Sequence, residues 1–148
     1  MLNFGRCFVF FVFLLILGCT EANTIHDWKT SCPENVFCFQ HPAQFIAEPV
    51  QSIDSITGKL TNGEISLVYD FGSYASQYQQ LTEASHDSII IDGYNGKIIM
   101  TPHLIALVIP QISGKLKFSM AFEYPNGIHS VQRKEAKKIF KTIKFNTI

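Results

Sequence analysis

The stretch "KLKFSMAFEY", Lys115–Tyr124, sets Leu116, Phe118, Met120, Phe122 and Tyr124 at every second position, with Lys115, Lys117, Ser119 and Glu123 among the residues between them. Side chains repeat their direction every two residues in a strand and every 3.6 in a helix, so only an extended chain gathers these five large groups on one face. The stretch reads as a sheet strand with one face on a core. Working back along the chain, "HLIALVI" (His103–Ile109) is a further strand, stopped by Pro110. "SIIIDGYNGKIIM" (Ser88–Met100) is two β-branched runs around Asp92-Gly93-Tyr94-Asn95-Gly96, a hairpin. "EISLVYDF" (Glu64–Phe71) alternates Ile65, Leu67, Tyr69 and Phe71 with Ser66, Val68 and Asp70. The Asn62-Gly63 dipeptide before it is a tight-turn signal for a second hairpin, whose first strand lies near Ser52–Leu60. "VFCFQ" (Val36–Gln40) is a short aromatic strand halted by Pro42. The series predicts an antiparallel meander.

A sheet with one apolar face needs a cover. From Ser130, an expected N-cap, "SVQRKEAKKIFKTIKF" places Val131, Ala136, Ile139, Phe140 and Ile143 on one side of a helix, with Lys134, Lys137, Lys138 and Lys141 around the rest. "SYASQYQQLTEA" (Ser73–Ala84) is a weaker helical stretch.

The N-terminus is of another kind. "FVFFVFLLILGCT" (Phe8–Thr20) falls short of the roughly 20 apolar residues that cross a bilayer. Behind Arg6 and the α-amine, it fits a secretory signal. Ile16-Leu17-Gly18-Cys19 resembles the lipobox of bacterial lipoproteins, which implies cleavage before Cys19 and lipidation of its thiol. Cleavage after Ala22, with loss of Cys19, is the rival. Each buried CH₂ contributes about 0.8 kcal/mol, so two or three acyl chains give durable anchoring. The expected organisation is residues 1–18 as lipoprotein signal peptide, 19–30 as tether and 31–148 as one domain. Thr20 rather than Asp after the cysteine implies, by the sorting pattern of that class, the outer membrane of a bacterial envelope, facing the periplasm.

From Cys19 onward the chain holds 11 basic and 12 acidic residues, unevenly placed. Lys115 and the residues after it carry eight Lys or Arg against Glu123 and Glu135. That net charge near +6 suits an anionic surface or acidic partner, or simply the solvated face of one helix. The domain as a whole is not basic and its cations are not interleaved with aromatics on a second element, which argues against nucleic acid. Cys32 and Cys38 in "SCPENVFC" are expected to form a disulfide in an oxidising envelope, closing a loop that contributes about 2 kcal/mol. A zinc site would need His26 and His41 as further ligands, at spacings that match no paired finger.

The segments "VFCFQHPAQF", "SIDSITGKL", "LVYDFGSYAS", "IIIDGYNGKIIM" and "AKKIFKTIKF" follow one another in an order that resembles the PsbP-like superfamily, in particular its small bacterial envelope lipoproteins. The resemblance covers Val36–Phe145. It implies an α+β fold, a mostly antiparallel sheet flanked by helices in an α/β/α sandwich. For function it implies a non-catalytic accessory or binding domain, and no residue role of the plant members carries over.

No Gly-x-Ser-x-Gly elbow or His-Glu-x-x-His helix occurs, and His26, His41, His86, His103 and His129 are scattered. Ser85-His86-Asp87 is the nearest approach to a triad, read more simply as a helix C-terminus. Asp92-x-Tyr94-x-Gly96 lacks the ligand count of a calcium loop. No enzyme activity, metal or cofactor is therefore expected. Asp70, Tyr74 and Tyr78, with Gly72, lie where a strand hands over to the expected helix and form a candidate binding patch, tyrosine offering amphipathic contact area. The expected function is a membrane-anchored, non-enzymatic binding or accessory module with a protein partner. An immunity or inhibitor protein that occludes a toxin or enzyme, and a small-ligand carrier, are the alternatives.

Overall fold

The computed structural model describes residues 27–81 and 84–146. Its strands are β1 (Trp28–Ser31), β2 (Phe37–Pro42), β3 (Ile46–Glu48), β4 (Ile56–Thr61), β5 (Ser66–Gly72), β6 (Ser85–Ile91), β7 (Tyr94–Met100), β8 (Leu104–Ile109), β9 (Lys117–Glu123) and β10 (Lys144–Phe145). One helix, α1 (Ser130–Phe140), precedes β10. Seven strands form an antiparallel sheet in the order β3-β4-β5-β9-β8-β7-β6, and three more form a second in the order β1-β2-β10. Two meanders, β3 to β5 and β6 to β9, are thus joined by the pairing of β5 with β9, in which Leu67 stands opposite Phe122 and Phe71 opposite Phe118.

The alternation of Lys115–Tyr124 holds: Phe118, Met120, Phe122 and Tyr124 are all buried in the main core. With Leu67 and Phe71 of β5, and Ile105, Leu107 and Ile109 of β8, they make the sheet's first face. Phe37 and Phe39 of β2 lie on this face. The Phe37 ring meets Phe118 edge-on at 5.0 Å and Tyr69 at 5.5 Å. Helix α1 covers the same face beside β2, burying Ala136, Ile139 and Phe140, and Phe140 lies 5.8 Å from Phe122. The helix begins at Ser130 as its pattern predicts, but its N-cap is His129, whose N–H donates to Gln132 Oε1 at 2.8 Å.

The helix-flanked α/β/α sandwich is not what forms. Among the described residues the fold is β-rich, two antiparallel sheets with one short α-helix on one face. The described part of Ser73–Ala84 is turn and irregular chain instead of helix. Serine side chains compete with the helical backbone for hydrogen bonds. Tyr78, at φ 51°, lies in the left-handed region that a helix cannot contain. The three-residue spacing of Ala75, Tyr78, Leu81 and Ala84 serves a strap that crosses the sheet's second face from β5 to β6. There Tyr78, Leu81 and Ala84 pack on Ile99, Ala106, Val108 and Ala121. Trp28–Thr30, assigned to the tether, belong to β1, which pairs with β2 from Trp28 opposite Pro42 to Ser31 opposite Phe39. Cys19 and the signal segment lie outside the described residues.

Cys32 and Cys38 are joined as a disulfide, bracketing a 3₁₀ turn (Pro33–Asn35) between β1 and β2. Asp92-Gly93 makes the β6–β7 turn, and both residues have positive φ, 49° and 87°. This left-handed pair is what a two-residue hairpin requires.

Candidate functional site

The strap begins where β5 ends. Asp70 Oδ2 accepts the Ser76 N–H at 3.1 Å, and the Ala75 N–H donates to the Gly72 carbonyl at 3.3 Å, turning the chain over the sheet. Gln77 pins it down, its Nε2 donating to the carbonyls of Ser76 at 3.0 Å and Phe118 at 3.5 Å. Asp70 Oδ1, Gln77 Oε1 and Thr57 Oγ1 are buried with no hydrogen-bond partner among the described residues. Thr57 and Asp70 stand opposite each other in the β4–β5 register, so this polar corner lies behind the strap's start. Burial pushes the Tyr78 phenol up to about 12, with Glu123 and Asp70 adding to the shift, so it is a neutral hydroxyl donor at physiological pH.

Of the three patch residues, the structure brings Asp70 and Tyr78 together at the second face and leaves Tyr74 outside. Tyr74 is 83 % exposed and stands over a shallow cleft shared with Gln111, Lys115 and Lys117. The strap and sheet enclose a second cleft of ≈ 300 Å³, with Gln77, Tyr78 and Leu81 above and His86, Lys97 and Val108 below. A third, ≈ 490 Å³, continues past Lys97 between Ile90, Asn95 and Pro110. Pro110 borders all three.

His86 and Lys97 were not singled out by composition, yet their placement follows from the hairpin. A two-residue turn at Asp92-Gly93 fixes the register, which sets Ser88 opposite Lys97 and His86 opposite Ile99. The strand also dissolves the Ser85-His86-Asp87 grouping. His86 lines the second-face cleft, whereas Asp87 points to the first face and accepts from Lys137 at 3.2 Å. It is a strand rather than the end of a helix, so neighbours alternate sides.

The remaining histidines take structural places. His41 is 2 % exposed in β2. Its Nδ1 lies 2.9 Å from the Pro42 carbonyl, which can only accept, so Nδ1 carries the proton and Nε2 accepts from Ser31 Oγ at 2.8 Å. With Cys32 and Cys38 bonded to each other, the zinc set considered from the sequence has lost its thiolates. His103 Nδ1 bonds the Tyr124 carbonyl at 3.1 Å, and His129 caps α1. His26 lies outside the described residues. No group of three or more potential metal ligands occurs among the described residues. None of their helices is long and apolar enough to cross a membrane. Comparison with protein-family models finds no match for this chain, and comparison with curated proteins finds none.

Proposed function

We propose that the protein is a lipid-anchored, non-enzymatic binding module of the bacterial envelope, held to the outer membrane through Cys19, with the strap face as its binding surface. The observation that carries the binding reading is Tyr74, a large aromatic left 83 % exposed beside Lys115 and Lys117 on a segment fastened at both ends of its turn. Rigid, exposed aromatics flanked by cations are economical protein-contact groups, because little side-chain freedom is lost on binding. The Cys32–Cys38 disulfide supports an oxidising compartment. Trp28 sits on the first-face layer with β2, so a tether leading into β1 leaves the strap on the side away from its attachment.

The intact mass of protein purified from bacterial membranes, beside Cys19→Ala, tests the anchor. A mass beginning at Cys19 plus acyl groups, lost in the variant, supports it, and a soluble product beginning at Asn23 overturns it. Tyr74→Ala tests the surface: partner capture should fall while the melting temperature stays within a few degrees, about the scatter of a surface substitution. The carrier form of the reading is favoured by the ≈ 300 Å³ cleft beneath the strap.

A further inference from the structure

Lys97 stands on the second face with no acidic neighbour across the strands among the described residues. Across the strands it faces Ser88 and Val108, and the flanking positions of the same face are His86, Ile90, Asn95, Ile99 and Ala106. The three ion pairs among the described residues are Lys59–Glu48, Lys137–Asp87 and Lys144–Asp92, and Lys97 is in none of them. Glu123 and Asp70 are on the same face but two and three strands away, Asp70 about 14 Å off by strand spacing. Among the described residues no Asp or Glu lines the three clefts that meet at Pro110. Apolar surface flanks the Lys97 side chain on both sides, Leu81, Ile99 and Val108 under the strap and Ile90 beyond it.

A single cation set between two apolar wings matches one kind of molecule. We propose that this cleft binds a single-chain amphiphile with a carboxylate headgroup, the headgroup at Lys97 with His86 nearby and the chain along Ile99 and Val108. A phosphate headgroup carries up to two charges and is best matched by an arginine fork or several convergent donors, whereas a single ammonium balances the single charge of a carboxylate. The volume, ≈ 300 Å³ under the strap and ≈ 490 Å³ in its continuation, is that of a small-ligand site. This inference rests on the carrier form of the binding reading and names its ligand.

The test is titration of the purified full chain with [1-¹³C]dodecanoate below its micellar concentration, followed by NMR, beside dodecanol and dodecyltrimethylammonium. Dodecanoate should bind one to one, with chain protons giving NOEs to the Ile99 and Val108 methyls. Dodecanol and the cation should bind about tenfold more weakly or worse, the loss expected for one charged hydrogen bond. Lys97→Gln should weaken dodecanoate by about the same factor and leave dodecanol unchanged. Lys97→Arg, which keeps the charge, should restore most of the affinity. Equal binding of all three probes would overturn the headgroup assignment. No binding, or NOEs placed elsewhere, would overturn the site. Either failure leaves the lipid-anchor reading standing, since the intact mass decides that separately.

Discussion

At the scale of single residues, the first face depends on a glycine and a ring. Gly58 in β4 stands opposite Tyr69 in β5, and a Cβ at Gly58 would overlap the Tyr69 phenol ring. That ring cannot step aside, because Phe37 lies 5.5 Å and Phe39 5.8 Å from it. A strand glycine is costly in entropy, and here it makes room for the ring to lie across the neighbouring strand. Gly58→Ala should therefore destabilise by about 1–3 kcal/mol, the range for overpacking a filled core, measurable as a lowered denaturation midpoint at unchanged slope. An alanine with unaltered stability would show that Tyr69 is not held. The alternation of Glu64–Phe71 gave Tyr69 its face in advance, and nothing in the sequence marked Gly58 as its partner, because pairing register is a property of two segments at once.

Among the elements, β6 and the Cys32–Cys38 loop carry the clearest expectations. The sheet ends in β3 at one edge and β6 at the other. β3 has three residues and a Lys59–Glu48 ion pair at 2.7 Å, whereas β6 has seven residues ending in Ile89-Ile90-Ile91, with Ile90 70 % exposed. A long apolar edge is a template for unwanted pairing, and lysine is the usual guard. Ile90→Lys should reduce association at high concentration without lowering the melting temperature, as read by static light scattering. The disulfide closes a short loop, so replacing both cysteines by serine should cost about 2 kcal/mol, or roughly 8 °C for a domain of this size. A shift below a degree would mean the 3₁₀ turn holds itself.

The sequence made β2, the hairpins β4–β5 and β6–β7, β8, β9 and α1 legible, because each carries a strict period of two or 3.6 or a defined turn dipeptide. It did not reveal β1, β3 or β10. These have four, three and two residues, too short for any period, and exist only because β2 and β4 offer edges to pair with. The strap was misread as a helix because an i, i+3 spacing of apolar groups also suits an irregular chain dipping onto a flat sheet. Of the candidate patch, Asp70 and Tyr78 are legible from their place at the end of the β5 pattern, where the chain leaves the strand. Lys97 and His86 needed the register of the finished hairpin.

For the whole molecule, a hairpin turn doubles as a clasp. Asp92 Oδ1 accepts from Lys144 Nζ at 2.9 Å and its Oδ2 from the Phe145 N–H at 2.8 Å, tying the β6–β7 turn to β10. The Lys144 hydrogen bond first, and the Phe145 N–H second, hold the Asp92 carboxyl below its ordinary value. A carboxyl depressed on folding stabilises above its unfolded value, near pH 4, and loses that contribution as pH falls through its folded value. Asp92→Asn keeps a residue that tolerates positive φ but removes the charge. It should lower the melting temperature at pH 7, with the difference from the parent shrinking below about pH 4 as the parent carboxyl is protonated too. A constant difference across that range would assign the effect to turn geometry.

Strand β9 lies between β5 and β8, and it is the last of the seven to emerge from a ribosome or a translocon. Until it arrives, β5 has its open edge beside β4 alone, and the two meanders are separate, unclosed ribbons. The contact that unites them spans about 50 residues of chain, a non-local pairing of the kind that folds slowly and exposes apolar edges meanwhile. The interval between the emergence of Gly72 and that of Lys117 is therefore when this chain is most vulnerable to misassembly and gains most from a holding chaperone.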